Sequence, residues 1–169
     1  LDKMENFLTD FGLVRSARTD TALYMRATDM DHHVHITELG DPGFKGFAFN
    51  AVCEEDLHVL SKENGATEVH EIDEPGGGKR VCIVDPDGFI IEVIHGMDEL
   101  PPLQINNIFP SNQGAKRQRM GKFVRLHSGA SQCKRLGHVV LNVTEFEQTN
   151  AFYKSHFGLI SSDECHDDD

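Results

Sequence analysis

The apolar positions of this chain switch between helical and strand periods. Met4, Phe7, Leu8 and Phe11 recur at i, i+3, i+4 and i+7, which predicts a helix with Asp2 as N-cap and Gly12 as C-cap. Residues 14–17 and 23–27 read as short strands around a polar turn at 18–21. A β-branched stretch over 32–39 predicts a third strand, with His33, His35 and Thr37 on one face and His32, Val34, Ile36 and Glu38 on the other. Asp41-Pro42-Gly43 ends it.

The pattern then starts again. A strand over 46–52 leads into a helix over 54–64, whose first turn carries Glu54, Glu55 and Asp56 and which Asn64-Gly65 stops. A strand over 69–72, the connection Pro75-Gly76-Gly77-Gly78, and strands over 81–84 and 89–94 follow. Asp85-Pro86-Asp87-Gly88 joins the last two as a type I turn. Residues 97–134 break the periodicity. With Arg135 at the border they hold seven of the sixteen basic residues (Lys116, Arg117, Arg119, Lys122, Arg125, Lys134, Arg135), and they read as a linker in which 123–126 packs as an extended segment. The strand period returns over 135–143. Thr144-x-x-Glu147 is a capping-box signature for a helix over 145–156, with Phe146, Phe152, Tyr153 and Phe157 on its apolar side, and 159–162 begins another strand.

These runs repeat one another. Gly46-Phe47-Ala48-Phe49-Asn50-Ala51-Val52 lines up with Gly137-His138-Val139-Val140-Leu141-Asn142-Val143. Phe11-Gly12-Leu13 closes the first helix as Phe157-Gly158-Leu159 closes the last. The expected fold class is therefore α+β, with paired βαβββ units forming a curved mixed sheet, helices outside, and the first strand missing. The expected division is an N-terminal module over 1–96, a linker over 97–134, and the opening strand and helix of a second module over 135–169. A missing first strand leaves a free sheet edge, which the 135–143 strand is expected to fill, within the chain or by exchange with a neighbour in a homo-oligomer.

Composition narrows the class. Of 169 residues 38% are hydrophobic, enough for a core, and the formal net charge of −12 argues against nucleic acid as a partner. No apolar run approaches the roughly 20 residues that span a bilayer, and no signal-peptide pattern opens the sequence. Cys53, Cys82, Cys133 and Cys165 form no C-x-x-C pair, which suits a reducing cytoplasm. His32, His33 and His35 offer a metal or acid–base cluster, but no carboxylate stands at a fixed spacing, so an edge strand is the preferred reading. Gly76-Gly77-Gly78-Lys79 lacks the Ser/Thr and helix of a phosphate loop and reads as a hairpin connection. Cys165-His166-Asp167 reads as a frayed end, and the basic cluster of the linker as local balance for an acidic chain.

Two phrases carry a resemblance. Asp85-Pro86-Asp87-Gly88-Phe89-Ile90-Ile91-Glu92-Val93 is similar to the strand that ends each unit of the vicinal oxygen chelate superfamily, which includes glyoxalases, bleomycin-resistance proteins and type I extradiol ring-cleavage dioxygenases. Leu136-Gly137-His138-Val139-Val140-Leu141-Asn142-Val143 is similar to the strand opening the catalytic module of two-module extradiol dioxygenases. The resemblance implies Fe(II), or alternatively Mn(II), held by two histidines and a glutamate, which leaves open positions for a catecholate and O2. On that pattern His138 matches the first metal ligand, and Glu92 stands where a unit's ligand glutamate stands, as a vestige in a unit whose position matching His138 is Phe47. The remaining ligands would lie beyond Asp169. The chain is thus expected to be an inactive piece of a dioxygenase, with no catalytic residue and no stably bound metal of its own, whose parent acts on a small aromatic diol. The alternatives are a non-catalytic small-ligand-binding module of the bleomycin-resistance type and a glyoxalase-like metal-dependent lyase or isomerase.

Overall fold

A computed structural model of the chain describes residues 1–105, 111–121, 123 and 129–163. The expectations for Pro110, Lys122, residues 124–126 and the 164–169 tail fall outside the described residues. The fold is mixed α+β, and its contacts group the chain into two compact units.

The first unit comprises residues 1–41 and 98–137. Helix α1 (Asp2–Phe11) is followed by strands β1 (Val14–Arg18), β2 (Ala22–Arg26) and β3 (His35–Glu38), an antiparallel sheet in the order β1-β2-β3. Gly12 caps α1 as expected, with φ 118° and its N–H on the Leu8 and Thr9 carbonyls. Asp2 does not cap. It lies inside the helix and, with Glu5, takes the Arg18 guanidinium at 2.5 and 2.6 Å. Thr19 closes the β1–β2 turn, its Oγ1 accepting the Thr21 and Ala22 N–H groups. As the middle strand, β2 is buried along its whole length, and Leu23, Met25 and Ala27 pack with Leu8 and Leu13. Of the apolar stripe predicted for α1, only Leu8 is buried; Phe7 and Phe11 are 61% and 59% exposed.

The ends of the stretch read as a linker are held in this unit. Leu100 and Leu103 N–H groups bond to the Met30 and Thr28 carbonyls, and those of Thr28 and Asp29 bond to the Cys133 and Lys134 carbonyls. The buried Arg26 donates to the carbonyls of Asp29 and Pro101. A two-residue hairpin pairs β8 (Asn112–Gln113) with β9 (Lys116–Arg117), after the seven strands described here and below.

The second unit comprises residues 42–97 and the described part of 138–169. Strand β4 (Gly46–Asn50), helix α2 (Glu54–Leu60) and strands β5 (His70–Glu71), β6 (Lys79–Val84) and β7 (Ile90–His95) make a sheet in the order β4-β7-β6-β5. β4 runs parallel to β7 and the other pairs are antiparallel. This is one complete βαβββ unit. Helix α3 (Phe146–Phe157) packs on the same core. Leu57 and Leu60 of α2 meet Val81, Ile83, Ile91 and Val93 of the sheet, and Phe47, Phe49, Phe152, Tyr153 and Phe157 close around them.

Three sequence expectations fail here. Residues 135–143 form no strand, so the free edge beside β3 is not filled by them; Leu136 and Val140 are 56% and 89% exposed. Residues 159–163 form no strand either. The Thr144–Glu147 capping box is not made: Thr144 instead gives its N–H and its hydroxyl to Asp87 Oδ1, at 2.8 and 2.5 Å, and Glu145 becomes the N-cap of α3. Asp87 takes the Thr144 N–H that the box would give to the Glu147 carboxylate.

Candidate functional site

The register of the four-stranded sheet divides its residues between two faces. Phe47 pairs with Ile91, Phe49 with Val93, and Val81 and Ile83 oppose Val93 and Ile91, so all six point to the helix-covered core. Ala48, Asn50, Arg80, Cys82, Glu92 and Ile94 alternate with them and belong to the other face. Glu92 lies directly between Ala48 on β4 and Cys82 on β6. Phe47 is therefore not the β4 residue that faces Glu92. It is a core residue, stacked on Tyr153 with ring centroids 6.4 Å apart, and the residue facing Glu92 is Ala48.

The charge on the face away from the helices is concentrated around Arg80. Its Nη2 donates to Glu74 Oε1 at 2.8 Å, its Nη1 lies 3.4 Å from Glu92 Oε1, and its Nε donates to His70 Nε2 at 3.2 Å. Cys82 Sγ lies 3.9 Å from the same Glu92 oxygen. Burial acts to raise the Glu74 carboxyl, but the Arg80 hydrogen bond and charge outweigh it and hold the group below its ordinary value. Burial lowers Arg80 in the same contest, and the two carboxylates raise it. Burial, then the charge of Glu92, pushes the Cys82 thiol up, so Cys82 stays protonated and is no nucleophile.

Those residues do not fit the metal that the resemblance implies for a unit of this kind. An iron site needs a carboxylate and imidazoles with free lone pairs converging on one point. Here Glu92 already has a guanidinium partner, and Ala48 offers no donor. Among the described residues no three His, Cys, Asp or Glu side chains are arranged to hold an ion. His138, the other expected ligand, lies exposed in a stretch without regular structure, and the structure does not bring it together with Glu92.

The histidine cluster divides as well. His32 Nδ1 lies 2.9 Å from His33 Nδ1, before β3 begins, whereas His35 is in the strand with Thr37 on its side. Burial depresses both His32 and His35, so each favours the neutral form. The glycine run is a connection, as expected: it joins β5 to β6, and Lys79 pairs with Glu54 at 2.5 Å.

Sequence reasoning missed how the Asp85–Gly88 turn works. Asp85 Oδ1 accepts the Asp87 and Phe89 N–H groups, and its Oδ2 accepts the Tyr153 hydroxyl at 2.8 Å. Asp87 takes Thr144 and the buried Thr149. The turn thus anchors α3 through both of its carboxylates. Spacing carries no sign of these contacts, since 57 to 68 residues separate the partners.

This anchor gives a pH dependence. Burial, then the hydrogen bond to Asp85 and the nearby carboxylate charges, hold the Tyr153 hydroxyl well above the ordinary 10.0. A raised folded value means the stabilisation is complete below pH 10 and is lost as pH rises from there toward the folded value. The thermal midpoint is expected to fall between about pH 9 and about pH 11 more steeply in the wild type than in Tyr153→Phe. Parallel curves would show that the hydroxyl does not titrate with unfolding.

No family model matches the chain, and no curated protein matches it in sequence. Solved structures do match its shape. The Mn(II)-bound glyoxalase from Novosphingobium aromaticivorans superposes with a TM-score of 0.56 at 23% identity, over 62% of this chain and 38% of that one. An extradiol ring-cleaving dioxygenase from B. fuscum gives 0.51 at 24% identity, over 59% and 30%. Homoprotocatechuate 2,3-dioxygenase from Brevibacterium fuscum, in complex with 3,4-dihydroxyphenylacetate, gives 0.52 at 23%, over 60% and 34%. The chain spans between 30% and 38% of the length of these structures. Among the described residues no helix is long and apolar enough to cross a membrane. The βαβββ topology and these superpositions identify the fold as one shared with that glyoxalase and those extradiol ring-cleaving dioxygenases.

Proposed function

We propose that this chain is part of an extradiol dioxygenase that opens a catechol-type aromatic diol with O2, and that its complete βαβββ unit is not the metal-bearing one. The observation that supports this is the chemistry of the face away from the helices. A unit of dioxygenase topology presents Ala48 and an arginine-paired Glu92 where a ligand set would have to stand. The metal, Fe(II) or alternatively Mn(II), then belongs to the module that His138 opens, with a second histidine and a glutamate from outside these residues. When bound, it supplies a path for electron density from the diol to O2. The part of His138 is to offer an imidazole nitrogen to that metal. A cytoplasmic location, a small aromatic substrate, and no nucleic-acid or membrane partner belong to the same proposal. So does little or no turnover by the chain alone.

Oxygen uptake by the full-length protein tests this. One structural neighbour holds 3,4-dihydroxyphenylacetate, so that diol and catechol are the first substrates to supply. His138→Ala is expected to lose more than about 100-fold, beyond the cost of disturbing an outer-sphere partner. Full activity in that variant, or no uptake by the full-length protein with any diol, would contradict the reading.

A further inference from the structure

Arg80 stands in the middle of the residue types that bind divalent transition metals. Glu74 and Glu92 are carboxylates, His70 an imidazole and Cys82 a thiol. Strand register gathers them: His70 of β5 pairs with Arg80 of β6, Cys82 of β6 pairs with Glu92 of β7, and Glu74 lies on the connection from β5 to β6. The imidazole is already set as a ligand is set. His70 Nδ1 lies 3.0 Å from the Glu68 carbonyl, so Nδ1 carries the proton and Nε2 presents its lone pair, here to Arg80.

A guanidinium suits such a centre. Its planar fork of five N–H donors meets three of the four groups, and its charge does not titrate away. The match is incomplete in one respect. Glu74 and Glu92 bring two negative charges against one positive, and the buried Glu74 Oε2 has no hydrogen-bond partner among the described residues. The donor set therefore has more to give than the fork takes.

We infer that Arg80 is the built-in cation of this unit: it occupies the place of a divalent ion among His70, Glu74, Cys82 and Glu92 and keeps that set closed to metal. The inference rests on reading this unit as the one without metal, and it names the residue that keeps it so. The four side chains surround a guanidinium at present, too wide apart for one ion. A short neutral side chain at position 80 lets the carboxylates close in.

Co(II) titration of the 169-residue chain tests this, followed by its absorption, with folding checked by circular dichroism. The wild type and Arg80→Lys, which both keep a cation, are expected to bind Co(II) weakly. Arg80→Ala is expected to bind at least about tenfold more tightly, with a thiolate charge-transfer band from Cys82, and Arg80→Ala combined with Glu92→Gln to lose the gain. If Arg80→Ala unfolds, Zn(II) is expected to restore its folded spectrum, because metal that binds only the folded state stabilises it. A folded Arg80→Ala that binds no more tightly than the wild type overturns the inference, as does an unfolded one that Zn(II) fails to restore. Tight wild-type binding that Glu92→Gln abolishes overturns it too. A gain of Co(II) in a protein whose full-length form cleaves no diol would sustain this inference while removing the dioxygenase reading.

Discussion

Alanine at Gly46 is expected to detach β4 from its sheet. Gly46 opens the strand with φ 157° and lies against β7, where the Ile90 N–H bonds to the Lys45 carbonyl. A Cβ on Gly46 would come within 1.7 Å of the Ile90 carbonyl oxygen and 2.7 Å of its carbon. Both are main-chain atoms in a parallel pairing, so neither moves without breaking the ladder. The expected cost exceeds about 4 kcal/mol, a size reached by backbone strain and not by surface change. Gly40, where a Cβ would meet nothing within 4 Å, is the control, and Gly40→Ala is expected to shift stability by less than about 0.5 kcal/mol. Urea midpoints of the two variants decide the matter; equal midpoints would mean that β4 does not run against β7 as described.

Leu57→Ala is the second large effect. Leu57 is 0% exposed and joins α2 to Val81, Ile83, Ile91 and Val93, which are themselves nearly or fully buried. Truncating it removes three carbons from a site whose walls are two β-strands, which collapse poorly into a void. About 3 kcal/mol is expected, in the middle of the range for buried leucines. Val59, two residues on, is 63% exposed on the opposite side of α2, and Val59→Ala is expected to be nearly neutral. A similar loss at both positions would show that α2 is rotated from the orientation described.

Local chemistry was readable wherever it acts over a few residues. The left-handed cap at Gly12, the turn at Asp85–Gly88 and the second βαβββ order all follow from glycine, proline and periodicity. The face of Phe47 was also readable in principle, since Phe47 and Phe49 alternate with Ala48 and Asn50. Aligning Gly46-Phe47 with Gly137-His138 makes Phe47 the position that matches His138, whereas the strand register places Ala48 beside Glu92. The strand expected over 135–143 fails for a different reason. Its β-branched residues favour extended backbone, but a strand needs a partner edge, and propensity says nothing about which edge is within reach. Arg80 was missed because its partners come from three separate stretches of chain, and only pairing of β5, β6 and β7 brings them together.

On the proposed reading the metal of the whole protein belongs with His138, while Arg80 answers Glu92. Loading the full-length protein with Fe(II) under anaerobic conditions, desalting it and counting bound iron tests that most directly. About one iron per chain is expected in the wild type and in Glu92→Gln, and almost none in His138→Ala. Iron lost from Glu92→Gln and retained by His138→Ala would place the metal in the βαβββ unit and contradict the claim.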